Sequence, residues 1–447
     1  MISLLKDLFT DHELVIILGF GREGKSTYRL LRKYFPEIFI TISDVNLAVN
    51  QLEETAADIH LEFSAGVDYQ QVLGLKAVVF KSPGVKIDAN LLHPQSILTS
   101  QTNLFIQRYH QQLIGVSGTK GKSTTSSLIF HLLKAGDMDA VLLGNIGIPA
   151  FDKLEAISDK TTIVFELSAH QLQNVKHSPH IAVLLNIFPE HLDYFNSFES
   201  YREAKMNLYA FQSTADVLIV PESLTDQVKG GRGQVWSFSQ NSDSTTGRLE
   251  SENKFTITGK QFVFPEIQLK GMHNKLNMIA ALMAVQNASL EIPEIIQSLS
   301  TFRGLPHRLE YVTEKNGVTY YNDSISTIPA SAMAAIEALQ QVGSLILGGY
   351  DRGLDYQELV SFLEKSNLSC VVFLGEAGKR MMPLFSPAFK GQLYWADSLA
   401  HAVELAGGHT PTGKICLLSP AAASYDQFHN FEHRGDTFKE LVLGKPW

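Results

Sequence analysis

The stretch "VSGTKGKSTTSSLI", residues 116–129, sets Gly118, Thr119, Lys120, Gly121, Lys122, Ser123 and Thr124 between an apolar run and a helical pattern. A glycine-rich turn of this kind frees backbone N–H groups to face a phosphate, and the following helix N-terminus adds a favourable partial charge. Lys122 can reach the terminal phosphates of a nucleotide, and the Ser123 hydroxyl can bind Mg²⁺. An earlier stretch, "LGFGREGKSTYRLL" at 18–31, carries the same Gly-Lys-Ser-Thr core. It fits the strict pattern G-x-x-x-x-G-K-[ST] better, with Gly19, Gly24, Lys25 and Ser26 in register, whereas Val116 replaces the first glycine of the later loop. The residues around each loop decide between them.

The first loop also reads as G-x-G-x-x-G through Gly19, Gly21 and Gly24, and Asp44 ends the next strand at the distance of a ribose-binding carboxylate. A P-loop also asks for a carboxylate at a later strand end to hold Mg²⁺, and the later strand of this block gives "KSPG" at 81–84 instead. A nucleotide-diphosphate site without Mg²⁺ therefore competes with ATP hydrolysis and with a merely structural turn. The second loop has what the first lacks. "IVFELSAHQL" ends a strand on Glu166, and "LLNIFPEHLDYF" delivers His191 with Glu190 and Asp193 beside it. Glu166 alone could be a strand-end carboxylate satisfied by a helix N-terminus; with the loop behind it, a Mg²⁺ role is favoured.

At 447 residues the chain is too long for one ordinary domain. Apolar residues make up 45% and charged residues 19%, as in globular proteins, and a net charge of −9 gives nucleic acid no electrostatic support. Cys370 and Cys416 sit in apolar runs, as buried thiols of a reduced compartment do. The acidic N-terminal stretch is unlike a signal peptide, and no apolar run reaches the length of a membrane span. A cytoplasmic protein is expected, with nothing demanding more than a monomer. Short β-branched runs alternate with helical patterns in three blocks, which predicts an α/β fold with mostly parallel sheets. Strands are expected at Leu14–Leu18, "IFITISD", "QQLIGVS", "DAVLLGN", "TTIVFELS" and "HIAVLLNI", and helices over Ser26–Tyr34 and Lys122–Ala135.

From residue 118 to 438 the chain carries in order "GTKGKSTT", "GNIG", "FELSAHQL", "NIFPEHLDYF", "YREAKMNLY", "GMHNKLNMIAAL", "LPHRLE", "YNDS" and "LSPAAASYDQFHNFEHRGDTF". This ordered set resembles the Mur ligases, ATP-dependent amino-acid-adding enzymes of peptidoglycan synthesis, and the closing motif and the "KSPG" block resemble its glutamate-adding members. The resemblance implies a Rossmann-like UDP-binding domain over 1–97, a central P-loop domain over 98–304 and a C-terminal Rossmann-like domain over 305–447. It implies ATP, UDP-N-acetylmuramoyl-L-alanine and glutamate as substrates, and an acyl-phosphate intermediate. Lys122, Glu166, His191 and Lys205 would be catalytic. Ser123 and Glu166 would hold one Mg²⁺, and His191 and Lys205 a second. Lys205 alone reads as a solvated helix charge; the resemblance makes it a lysine carbamylated by CO₂. Asn274 and Asn277 could be helix caps, and Arg308 and Asp323 surface charges; by resemblance all four contact ATP. Gly21, Arg22, Asp44, Ser82, Gly84, Asn145 and His191 would hold the UDP substrate.

The resemblance weakens at the acceptor pocket. Familiar members read N-D-S-K-A-T-N where this chain has "NDSISTIPAS", so Ile325 and Ile328 replace a lysine and an asparagine, and Pro329 follows. Another expected lysine is absent from "LGGYDRGLDY", which offers Arg352. Thr327, Arg352, Ser424 and Phe431 are the glutamate candidates, with D-glutamate expected and L-glutamate the alternative. A folylpolyglutamate-synthase-like ligase would not explain the separate N-terminal diphosphate loop. A nicotinamide-dependent dehydrogenase would leave the second loop, Glu166 and His191 unused.

Overall fold

The computed structural model describes residues 1–444 except 53, 54, 229, 241, 268 and 270. β-Branched runs become parallel strands with both faces covered, as continuous apolar composition requires. The first sheet holds β1 (Leu14–Leu18), β2 (Phe39–Asp44), β3 (Leu61–Ala65), β4 (Val78–Lys81) and β5 (Ile97–Thr99) in the order β3-β2-β1-β4-β5, all parallel. The strand order reverses beside β1, so its C-terminal end opens a crevice, the usual ligand position in such sheets.

The second sheet is built from β6 (Leu113–Ser117), β7 (Ala140–Gly144), β8 (Thr162–Glu166), β9 (Ile181–Leu184), β10 (Val217–Pro221), β11 (Gln234–Gln240), β12 (Gly247–Leu249), β13 (Lys254–Ile257) and β14 (Lys260–Val263). Their order is β14-β13-β12-β11-β10-β9-β6-β8-β7, antiparallel only across β12, β13 and β14. The helix Met272–Asn287 is apolar nearly all round because it lies buried between this sheet and the helix Lys122–Ala135. Both sheets belong to one compact unit, Met1–Phe302. Within it Arg29 pairs with Asp152 at 3.1 Å and Gln171 donates to Glu23 at 2.7 Å, tying the first sheet's helix to the central region.

A second unit spans Arg303–Trp447. Its strands are β15 (Glu310–Lys315), β16 (Val318–Asn322), β17 (Val342–Gly348), β18 (Cys370–Leu374), β19 (Gln392–Trp395) and β20 (Ile415–Leu418), ordered β15-β16-β20-β17-β18-β19. Only the polar edge strand β15 runs antiparallel to its neighbour. Cys370 and Cys416 are buried free thiols within it. Among the described residues no helix is long and apolar enough to cross a membrane.

Several strands are shorter at their ends than the runs read for them, and one helix start differs from the sequence expectation. The helix after β1 starts at Arg22 rather than Ser26, because Gly21 takes an extended conformation and its carbonyl accepts from Lys25 N at 2.9 Å. Gly24 and Lys25 therefore lie inside the first helical turn, and the Lys25 ammonium sits over the Phe20 ring.

Candidate active site

Adjacent parallel strands deliver their following loops to one edge of a sheet. Here β7, β8, β6 and β9 are neighbours, so Asn145, Glu166, the 118–121 loop and the 186–191 loop converge. Gly121 has φ +84°, a conformation that favours glycine, and its α-carbon faces the Asn277 side chain. Asn186 braces the loop from β9: its carbonyl accepts from Thr119 N at 3.0 Å, and its side chain accepts from Lys120 N at 2.8 Å. The Thr119 hydroxyl is 3.0 Å from the Tyr201 hydroxyl and accepts from Phe188 N at 2.9 Å, which fixes the loop from behind.

The Lys122 ammonium donates to the carbonyls of Gly118, at 3.0 Å, and Thr119, at 2.9 Å. Lys205, buried on the helix Phe198–Met206, donates to Gly118 O at 2.8 Å and lies 5.0 Å from the Tyr201 ring centre. Burial, and then the charge of Lys122, push the Lys205 amine down to about 7. Glu166 is fully buried; one carboxylate oxygen accepts from Asn145 at 2.8 Å and the other lies 3.5 Å from the Ser126 hydroxyl. Lys120 pairs with Glu190 at 2.8 Å, on the exposed side of the loop. His191 is half exposed in a left-handed conformation, and its ring packs edge-on against His170. Burial and the facing His191 push His170 down to about 4, so it is a neutral ring at physiological pH.

A cleft of about 310 Å³ brings Lys122, Asn145, His191 and Lys205 together beside Gly84. A second cleft shares Pro83, Asn145 and Ser168 with it and continues to Arg22 and Glu23 at the first loop. The expected UDP residues divide by environment. Arg22 and Gly84 line clefts, whereas Asp44 accepts from Phe20 N at 2.6 Å and the Ser82 hydroxyl donates to Gly19 O at 2.7 Å, so both brace the loop. Asn145 lines both clefts and also orients Glu166. Burial pushes Glu23 up to about 7 against the opposing Gln171 hydrogen bond and Lys81 charge, while burial pushes Lys81 down to about 8.

In the second unit Asp323 is buried, accepting from Leu309 N at 3.1 Å and Ser419 Oγ at 2.7 Å, while Arg308 is exposed. Arg352 donates to Thr327 O at 2.8 Å, Ser424 is buried, and Phe431 accepts from the Ser324 hydroxyl at 2.8 Å through its carbonyl. Tyr201 and Asn186 were not singled out by motif reading. Tyr201 carried a usable signal, since it stands four residues before Lys205 and so shares its helix face.

The family model described as Mur ligase middle domain matches residues 116–285. The UDP-N-acetylmuramoylalanine–D-glutamate ligase of Clostridium botulinum (strain Kyoto / Type A2) is 30% identical over 453 residues, covering 98% of both chains. The chain belongs to the Mur ligase family. The enzyme of the same name from Clostridium kluyveri is 33% identical over 412 residues, covering 89% of each chain. Among solved structures, Mur ligases share the three-sheet α/β fold. MurF ligase from Thermotoga maritima in complex with ADP is 16% identical, with a TM-score of 0.54 over 98% of this chain and 100% of that one. MurF from Acinetobacter baumannii is 18% identical, with a TM-score of 0.58 over 92% and 88%.

Proposed function

We propose that this Mur ligase uses ATP to join glutamate to the alanine carboxylate of UDP-N-acetylmuramoyl-L-alanine, a step of peptidoglycan precursor synthesis. The observation that carries the reading is the cleft where Lys122, Asn145, His191 and Lys205 meet, adjoining a second cleft lined by Arg22 of the first loop. A carboxylate resists attack by an amine, so the γ-phosphoryl group is transferred to its oxygen as the bond to ADP breaks. The glutamate amine then attacks the acyl carbon, loses its proton to solvent, and the tetrahedral intermediate expels phosphate. Lys122 and the 118–124 backbone are assigned to the ATP phosphates. Asn274 and Asn277 are also assigned to ATP, as are Arg308, towards phosphate, and Asp323, towards ribose. Gly21, Arg22, Asp44, Ser82, Gly84, Asn145 and His191 are assigned to the UDP substrate.

Ser123 and Glu166 would hold one Mg²⁺, His191 and Lys205 a second. The donor chemistry fits at Glu166, a buried carboxylate that accepts from the neutral Asn145 amide and lies beside the Ser126 hydroxyl. At Lys205 it fits only as a carbamate, because an ammonium repels a cation. An amine lowered to about 7 favours this: its neutral nitrogen adds to CO₂, forming the N–C bond and releasing a proton. When bound, Mg²⁺ supplies positive charge against the phosphoryl oxygens. Domains over 1–97, 98–304 and 305–447, a monomer and a cytoplasmic location complete the proposal.

The acceptor has a second reading, L-glutamate, favoured by the pocket that keeps Thr327, Ser424 and Phe431 but presents Ile325, Ile328, Pro329 and Arg352. Phosphate release from ATP, measured with UDP-N-acetylmuramoyl-L-alanine and each glutamate isomer, tests both. Turnover should require all three substrates, and turnover with neither isomer would overturn the assignment.

A further inference from the structure

His110, His180 and Asp216 stand immediately before or close to the starts of β6, β9 and β10, which are neighbours in the central sheet. The backbone fixes them as a row: His180 N donates to His110 O at 3.1 Å, and Val217 N to His180 O at 2.9 Å. The row is at the opposite end of the strands from the 118–121 loop. Five residues of β6 separate the two ends, about 16 Å at the usual strand rise.

The side chains are oriented as ligands are. Asp216 is 1% exposed, and its Oδ2 is held by Ser213 N at 2.7 Å and Ser213 Oγ at 2.9 Å. Its Oδ1 is thereby aimed at both imidazoles, 3.1 Å from His110 Nε2 and 2.8 Å from His180 Nδ1. His110 Nδ1 is 2.6 Å from Ser178 O, and a carbonyl can only accept, so Nδ1 carries a proton. In the neutral ring the lone pair of Nε2 then faces a carboxylate oxygen. Acceptor against acceptor requires something positive between them, a second ring proton or a metal ion. A hydrogen bond from a ring to a backbone carbonyl is also the usual outer contact of a metal-bound histidine.

We propose that His110, His180 and Asp216 form a Zn²⁺ site at the base of the central sheet, separate from the catalytic cleft. The three donor atoms lie within 4.8 Å of one another, and one cation between them satisfies both imidazoles at once. Two imidazoles and one carboxylate suit Zn²⁺, whereas Mg²⁺ prefers an all-oxygen shell. Both histidines are partly open to solvent, so water completes the tetrahedron. The ion ties together the strand starts that support the phosphate loop from below, and its effect falls on the stability of the first unit.

The test uses the full-length chain, stripped with EDTA and titrated with Co²⁺ in excess Mg²⁺. The expected result is one equivalent of Co²⁺ with the visible absorption of a tetrahedral site, displaced by Zn²⁺. Zn²⁺ should also raise the unfolding temperature by at least about 2 °C at saturation. His110→Ala and His180→Ala should each weaken binding at least about tenfold, since losing even an outer-shell contact has that effect. Glu166→Gln should leave the absorption unchanged, which separates this site from the catalytic cleft. Should circular dichroism show an alanine variant unfolded, His110→Gln is scored in its place. No absorption, absorption that survives in the folded histidine variants, or absorption lost in Glu166→Gln would each overturn the site.

Discussion

Lys205 and Lys122 share one acceptor: the carbonyl oxygen of Gly118 takes a hydrogen bond from Lys205 at 2.8 Å and from Lys122 at 3.0 Å. Two ammonium groups on one oxygen repel each other, and the buried one yields, which is the second cause of the lowered Lys205 amine after burial itself. The loop thus couples the lysine assigned to ATP to the lysine assigned to a carbamate.

Lys205→Ala is expected to lower kcat by roughly 10²-fold or more, the loss of one group that stabilises transition-state charge. A short carboxylic acid such as acetate should restore part of the rate by filling the space with an anionic oxygen. Steady-state rates with and without acetate measure this. An alanine variant of full activity excludes the carbamate role.

The two Gly-Lys-Ser-Thr loops separate in a paired experiment. Lys122→Ala should reduce ATP turnover by about 10²–10³-fold, whereas Lys25→Ala, whose side chain lies over Phe20, should mainly raise KM for the UDP substrate. The opposite pattern in kcat and KM reverses the assignment of the loops.

Asn145 donates to Glu166 at 2.8 Å and acts on the proposed metal through that carboxylate. Asn145→Ala should raise the Mg²⁺ concentration needed for half-maximal rate by about 10–100-fold, with a partial return in Asn145→Gln. Rates across a Mg²⁺ series read this directly; an unchanged series would show that Asn145 has no such role.

Glu23 supplies a pH test. Its Oε2 is buried with no hydrogen-bond partner among the described residues, and burial raises its carboxyl to about 7. A raised acid holds its proton in the folded state while the unfolded chain has lost it. Stability is therefore lost as pH rises from about 4.5 to about 7. Glu23→Gln keeps the Gln171 contact without that charge. Its advantage over the parent should grow between about pH 5 and pH 7.5, to at most about 3 kcal/mol, in urea unfolding of the substrate-free protein. An advantage that stays constant with pH contradicts the burial of that carboxylate.

The parallel sheets were legible because their strands are continuous apolar runs bounded by turns: Leu14–Leu18 and Lys122–Ala135 have the limits read from sequence, and the strand read at "QQLIGVS" starts two residues later, at Leu113. The start of the helix after β1 was less legible: the fold made Gly21 its N-cap, next to Gly19 and Phe20, which are held by Ser82 and Asp44 far along the chain. The same distance hid the bracing by Asn186 and Tyr201, and the row of His110, His180 and Asp216. Each belongs to a separate segment, and only the strand order makes them neighbours.

Glycines of the first loop should respond oppositely to substitution. A β-carbon on Gly24 would run into the carbonyl of Gly19, a backbone atom that cannot move aside without unseating the turn. Gly24→Ala should therefore destabilise the protein by about 1–3 kcal/mol, as overpacking in a fixed interior does. At Gly21 a β-carbon meets nothing within 4 Å, and the backbone is extended. Protein packing does not explain a glycine there; the proposed close approach of a bound diphosphate would. Gly21→Ala should leave the unfolding midpoint unchanged and weaken UDP-substrate binding by tenfold or more, an order-of-magnitude expectation for one lost close approach (~1.4 kcal/mol). Thermal unfolding and calorimetric titration of the two variants measure the contrast. If Gly21→Ala binds as tightly as the parent, the first loop is a structural turn and the diphosphate must be held elsewhere.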